Sequence, residues 1–374
     1  MDFRFDEEQT TVRDLARGIL DKEVGPERVK SIEQGEDWHD GRLWQTLADA
    51  GLLGIAVPEA QGGMGLGLLE LCIFLEEIGR VLAPVPVIPS LVLAGLPIAE
   101  FGLTDQRSEW LPRLVSGEVI LTTAMHDDGA AGGLPAVSAH REGRTWIVDG
   151  EKRLVPAAHL AKRILVPARA ENGVAVFLVD PEAEGVTLTR RSTSRGEPLF
   201  DVHLARVRVA SEDLLGDHIA SDTHVLEWIR QRAVLATCAT QVGVSEKALE
   251  ITAGYVRDRV QFGVPIGSFQ AVQHRAADGY IDIEAMRWVM WRAAWRLSRH
   301  QNAERELAVA KFWAADAGAR IAATAQHLHA GIGVDIDYPI HRYFLWSKAL
   351  ELSFGSATAQ LVRLGRDMAA NPPA

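Results

Sequence analysis

Long apolar stripes at helical spacing dominate the C-terminal part of the chain. Val234, Cys238, Val242, Leu249 and Val256 are separated by 4, 4, 7 and 7 residues, a repeat that keeps side chains on one helix face. Trp288, Trp291 and Trp295 mark a second helix. Leu307, Ala310, Ala314, Ala317, Ile321, Ala325 and Leu328 mark a third, at steps of 3 or 4. A fourth is predicted over residues 339–368. Four long helices of this kind predict a four-helix bundle across residues 222–374.

Two other zones precede it. Residues 1–115 read as a helical domain, opened by Asp6 as N-cap with Gln9 three residues on, the spacing of a capping box. The glycine-rich "VPEAQGGMGLG" (Val57–Gly67) and the proline run "APVPVIP" (Ala83–Pro89) predict loops. Across residues 116–215 the pattern changes to short β-branched runs, "TWIVDG", "RILVPAR", "VAVFLVD" and "VTLTRR", bounded by turn residues. "DVHLARVRVA" alternates as a strand with an irregularity at Ala205–Arg206. The fold class is therefore mainly α with a central β domain: an N-terminal helical domain, a small β-barrel and a C-terminal four-helix bundle.

Charge and cysteine content narrow the function. A formal net charge of −11 over 374 residues argues against a nucleic-acid-binding surface. The two cysteines, Cys72 and Cys238, imply no disulfide framework. The start, "MDFRFDEEQT", is acidic without an apolar signal core, and no apolar run approaches the roughly 20 residues of a membrane span. A cytoplasmic protein is expected.

Three segments carry a resemblance. "LADAGLLGIAVPEAQGGMGLGLLE" (Leu47–Glu70), "YVRDRVQFGVPIGSFQAVQH" (Tyr255–His274) and "HLHAGIGVDIDYPIHR" (His327–Arg342) resemble, in order and spacing, signatures of the acyl-CoA dehydrogenase family, and the likeness covers nearly the whole chain. It implies FAD as cofactor, an acyl-CoA substrate, and electron-transfer flavoprotein as acceptor. The family reaction removes a proton α to the thioester and a hydride from the β carbon, so it needs a held flavin, a contact to the thioester carbonyl and a carboxylate base.

The resemblance assigns these parts residue by residue. The adenosine diphosphate end of a neighbouring subunit's FAD would meet Arg259, Gln261, Phe262 and Ile266, together with His327 and Gly331; arginine suits a diphosphate, and glycine permits close backbone approach. The flavin-ring segments depart from the family. "TAMHDDGAAGGLPA" (Thr123–Ala136) lacks the expected Glu-Pro pair, and Leu154, Val155 and Pro156 stand where Trp and hydroxyl residues are expected. The family's usual catalytic Glu falls at Phe354, with Ser356 and Thr358 at the following Thr and Gln positions. In the alternative location, on the first bundle helix, Gln231 or Ala233 falls. Glu227 and Glu351 are the fallback carboxylates.

An intact adenosine side beside an altered flavin side resembles the β-type subunit of actinobacterial α2β2 acyl-CoA dehydrogenases that act on steroid side chains. The implied partner is a catalytic α-type subunit that carries the base. The alternatives are a self-sufficient homo-oligomer with a displaced base, a flavin monooxygenase on the same fold, and a scaffold without flavin. His327, His329 and His341 lack companions at ligand spacing, so no metal site is expected. The tryptophan face reads as packing before ligand stacking, and "RRSTSR" (Arg190–Arg195) as solvated charge.

Overall fold

The computed structural model describes residues 4–127, 134–217, 219 and 223–370. Six α-helices come first: α1 (Glu7–Glu23), α2 (Pro26–Glu33), α3 (Gly41–Asp49), α4 (Leu68–Val81), α5 (Leu96–Phe101) and α6 (Thr104–Val115). Seven strands follow: β1 (Ile120–Thr123), β2 (Ser138–Glu142), β3 (Thr145–Pro156), β4 (Ala161–Ala170), β5 (Gly173–Val179), β6 (Val186–Arg191) and β7 (Leu199–Ala210). Then come α7 (His224–Asp258), the short strands β8 (Val260–Gln261) and β9 (Val264–Pro265), α8 (Gln270–Ser298), α9 (Glu304–His329), α10 (Ile340–Leu352) and α11 (Ala357–Ala370). By compactness the chain forms two units that interleave in sequence, one of residues 1–30, 67–83 and 234–374, the other of residues 31–66 and 84–233; the division falls inside α7.

In the second unit the predicted small barrel takes the form of a seven-stranded curled sheet in the order β1-β4-β2-β3-β7-β6, with β5 pairing β4. Its core is built from the alternate residues the strand pattern selects, including Val148, Val166, Phe177, Val202 and Leu204, with Trp146 tilted on Phe177 at 5.4 Å. The irregularity expected at Ala205–Arg206 is a bulge: the β3–β7 register skips there, Arg206 takes φ +52°, and its N–H donates to the Asp149 carboxylate at 3.0 Å. The proline run behaves differently from a simple loop. From Ile88 to Gly95 the backbone is a wide-turned helix continuing into α5, because Pro89 near its start needs no intrahelical donor.

In the first unit α1 begins with the expected capping box, Gln9 N–H to Asp6 Oδ1 at 2.9 Å and Asp6 N–H to Gln9 Oε1 at 3.3 Å. Two glycines set the approach of α4 to α7: a Cβ on Gly79 would lie 2.2 Å from the Thr240 carbonyl oxygen, and one on Gly243 1.9 Å from that of Glu76. The stripe residues Val234, Cys238 and Val242 are buried as the spacing requires. The fourth helix does not run unbroken over 339–368. It splits into α10 and α11 at residues 353–356, where Phe354 and Gly355 both take left-handed backbone (φ +54° and +98°). Helical apolar spacing continues across the gap, which is why periodicity alone missed it; the Gly at C-terminal cap position was the available signal.

Candidate cofactor half-site

Arg259 follows the last turn of α7 and is fixed by its backbone: its N–H donates to the Tyr255 carbonyl, and its own carbonyl accepts the Ile266 N–H, both at 2.8 Å. Between these anchors β8 and β9 pair antiparallel through a two-residue turn, Phe262–Gly263, at φ +53° and +82°. Two left-handed residues match the twist of a tight hairpin, but for phenylalanine the conformation costs about 1–2 kcal/mol. Phe262 nevertheless sits at the tip 93% exposed, with Phe269 edge-on to its ring at 6.2 Å. The Arg259 side chain is exposed and has no hydrogen-bond or ion-pair partner among the described residues. Gln261 donates its amide to the Val260 carbonyl at 2.8 Å. Ile266 is half-buried in a short turn before α8.

The second segment is the turn after α9. His327 is exposed and its carbonyl accepts the Ala330 N–H. Ala330 takes φ +52°, ψ −135°, a region that favours glycine. Around Gly331 the space a Cβ would fill is open to 4 Å, whereas one on Gly333 would stand 2.5 Å from the Gln326 carbonyl oxygen. The glycine that the turn requires for packing is thus Gly333, and Gly331 leaves an open, sterically bare backbone beside it.

A stacked pair ties the two segments together. His329, buried to 1% exposure, lies on Tyr255 at 4.4 Å between centroids and 26° between planes, with Tyr338 tilted against it at 5.2 Å. Its Nδ1 faces the Ala325 carbonyl at 2.7 Å, and burial lowers its pKa, favouring the neutral ring. Tyr255 stands one helical turn before Arg259 and His329 two residues before Gly331, so this stack sets the spacing of the arginine and the bare turn. Neither Tyr255 nor His329 was among the residues assigned to the site from sequence.

The flavin-ring segments lie in the other unit. Residues 128–133 of the first lie outside the described residues. At its start the Thr123 hydroxyl donates to the Leu93 carbonyl at 2.5 Å, and just before it the Thr122 hydroxyl donates to that of Pro156 at 2.8 Å. The Leu154 N–H donates to Asp201 at 3.1 Å, and Pro156 has no N–H to offer. Val155 is buried. Asp127 serves the architecture, its carboxylate lying 2.8 Å from Nζ of the fully buried Lys152.

At the expected base position Phe354 occupies the turn between α10 and α11. The Gln360 amide donates to its carbonyl at 3.1 Å and to that of Gly355 at 3.2 Å. Buried Lys311 donates to the carbonyls of Leu350 and Glu351, each at 3.0 Å, at the end of α10. The Glu351 carboxylate pairs with Lys348. Glu227 holds Arg230 at 2.7 Å and receives the Gln231 amide at 3.3 Å, while Ala233 is fully buried. Among the described residues no three His, Cys, Asp or Glu side chains group to hold a metal. The "RRSTSR" arginines are engaged within the protein: Arg190 with the Glu36 carbonyl at 2.7 Å, Arg191 with Asp201 at 2.6 Å, Arg195 over the Trp38 ring at 5.4 Å.

Comparisons with known proteins identify the family. Residues 6–118 match the acyl-CoA dehydrogenase N-terminal domain model and residues 223–369 the C-terminal domain model. The chain is 40% identical to the acyl-CoA dehydrogenase FadE27 of Mycobacterium tuberculosis over all of both chains. Its fold superposes on a chain of the ChsE4–ChsE5 complex from Mycobacterium tuberculosis with a TM-score of 0.93, at 39% identity and full coverage of both. A variant of the Tcur3481–Tcur3483 steroid ACAD gives 0.90 at 42% identity, covering 97% of this chain and 98% of that one. No helix among the described residues is long and apolar enough to cross a membrane. The chain belongs to the FAD-dependent acyl-CoA dehydrogenase family.

Proposed function

We propose that this chain is the base-lacking subunit of a heteromeric acyl-CoA dehydrogenase, lending the adenosine diphosphate half of an FAD site to a catalytic partner. The observation that carries the reading is Phe354. The resemblance puts the family base at this position, and its side chain has no titratable group, on a turn whose backbone is held by Gln360. Glu227 and Glu351 each pair with a cation one turn away, which weighs against either as a displaced base.

The residues present suit one end of FAD better than the other. Arg259, exposed and without a protein partner among the described residues, would form charge-assisted bonds to the diphosphate. The bare backbone at Gly331 would admit the nucleotide closely, with Gln261, Phe262, Ile266 and His327 around it. On the ring side, the hydroxyls of Thr122 and Thr123 and the Leu154 N–H already bond protein groups. Bound FAD supplies the hydride acceptor for the β carbon of an acyl-CoA, and the partner subunit supplies the proton acceptor. A steroid side-chain thioester is the proposed substrate, supported by the relative described as a steroid ACAD. Electron-transfer flavoprotein is the proposed electron acceptor.

Purification of the chain alone and co-expressed with its partner tests the reading. Flavin should be retained, and steroid side-chain thioester oxidised, only by the complex, and Arg259→Ala should lower the flavin-to-protein ratio of that complex. A lone chain that keeps FAD and oxidises an acyl-CoA would overturn it.

A further inference from the structure

Three tryptophans of α8 line a groove that the cofactor half-site does not use. Trp288, Trp291 and Trp295 are one turn apart, at steps of 3 and 4, and so share a helix face. The groove begins 17 residues after Gln270, at Arg287, which puts it about 25 Å along α8 from the start of that helix. Its opposite wall comes from Phe5 and Gln9 at the start of α1 and from Leu69 in the first turn of α4. Phe5 stands edge-on to Trp291 at 5.4 Å and 69°. The resulting concavity holds about 930 Å³.

The lining is aromatic and cationic. Trp288 and Trp295 remain 47% and 44% exposed, an unusual cost for the largest apolar side chains in a surface helix. Arg4, Arg287, Arg292 and Arg296 contribute to the walls and, among the described residues, no carboxylate does. Arg287 is answered by Glu246 and Glu284, but at the other end one carboxylate, Glu306, serves both Arg292 and Arg296, each at 3.4 Å. That end therefore has more guanidinium than carboxylate, and Arg292 is 71% exposed in its side chain.

We propose that this groove binds an amphipathic organic anion: a flat ring system or short acyl chain carrying one carboxylate or related acid. Its volume falls within the range of small-molecule sites, which pair apolar walls with a few fixed polar groups. The indoles offer stacking faces, and Arg292 with Arg296 offers the fork that a carboxylate takes bidentately. A helix seam for another protein fits less well, since the walls from α1 and α4 make the surface concave, and charged Arg292 interrupts the stripe.

The test uses the full chain, alone and with its partner subunit, titrated with 1-pyrenebutyrate and with neutral 1-pyrenebutanol. Energy transfer from tryptophan to pyrene reports binding. One equivalent of the acid should bind per chain, and Trp288→Ala with Trp295→Ala should weaken it about tenfold, a loss of about 1.4 kcal/mol. Both indoles are half exposed, so these variants leave the core intact; urea unfolding checks that. Arg292→Gln with Arg296→Gln should weaken the acid about fivefold and leave the alcohol unchanged. Equal binding of acid and alcohol, binding indifferent to the tryptophans, or loss of binding when the partner subunit is added would each overturn the proposal, the last by showing that a protein covers the groove.

Discussion

Asp201 accepts the backbone N–H of Leu154 at 3.1 Å while its carboxylate also holds Arg153 at 2.7 Å and Arg191 at 2.6 Å. Burial opposes its charge, but these three donors prevail and keep its pKa below the usual carboxylate value. Such stability is fully present above the unfolded-state pKa and drains as pH falls below it. Asp201→Asn should cost about 2–3 kcal/mol, less than a wholly buried pair because both arginines reach solvent. Urea unfolding at pH 7 measures it, and the difference should shrink below pH 4.

Phe262→Asn should act in opposite directions on folding and on assembly. Asparagine tolerates the left-handed position at the hairpin tip, so the isolated chain should gain about 0.5–1 kcal/mol in denaturant. The co-expressed complex should retain less flavin per chain. Strain accepted at a fully exposed tip has no use inside this chain.

Ala330→Gly should relieve the turn after α9. Alanine at φ +52°, ψ −135° carries about 1–3 kcal/mol of strain, and glycine adds about 0.5–1 kcal/mol of unfolded-chain entropy. The net expectation is a gain of about 1 kcal/mol, read as a higher urea midpoint with unchanged slope.

Glu76 gives the first unit a pH dependence near neutrality. Its side chain is 12% exposed. Burial raises its pKa to about 8, against the pull of Arg287 and with Glu246 and Glu77 adding to the rise. A group with a raised native pKa contributes stability below its unfolded pKa, and that contribution is lost as pH climbs through the native value. Between pH 5 and 8 the wild type should therefore lose roughly 2–4 kcal/mol relative to Glu76→Gln. If the carboxyl were ionised throughout, the difference between the two proteins in parallel unfolding curves would not change with pH.

What was legible in the sequence follows from how local each signal is. The α7 and α9 stripes and the Ala205–Arg206 bulge are local patterns, and the structure carries them where the spacing put them. The break at Phe354–Gly355 was masked by an apolar repeat that carries on through it. The order of the sheet strands depends on pairings between distant segments, which no single run encodes. The same holds at the site: Arg259 and Phe262 lie in one short motif, but the Tyr255–His329 stack joins two helix ends far apart in sequence. Asp127 was read only as a departure from a motif, because its bond to Lys152 cannot be seen without the sheet.

The turn at 353–356 has a consequence for how such a chain can change. Gln360 fastens it through the carbonyls of Phe354 and Gly355, and Lys311 holds the end of α10 before it through those of Leu350 and Glu351. These bonds end on main-chain atoms and form with any side chain at 354, so a substitution there leaves them in place.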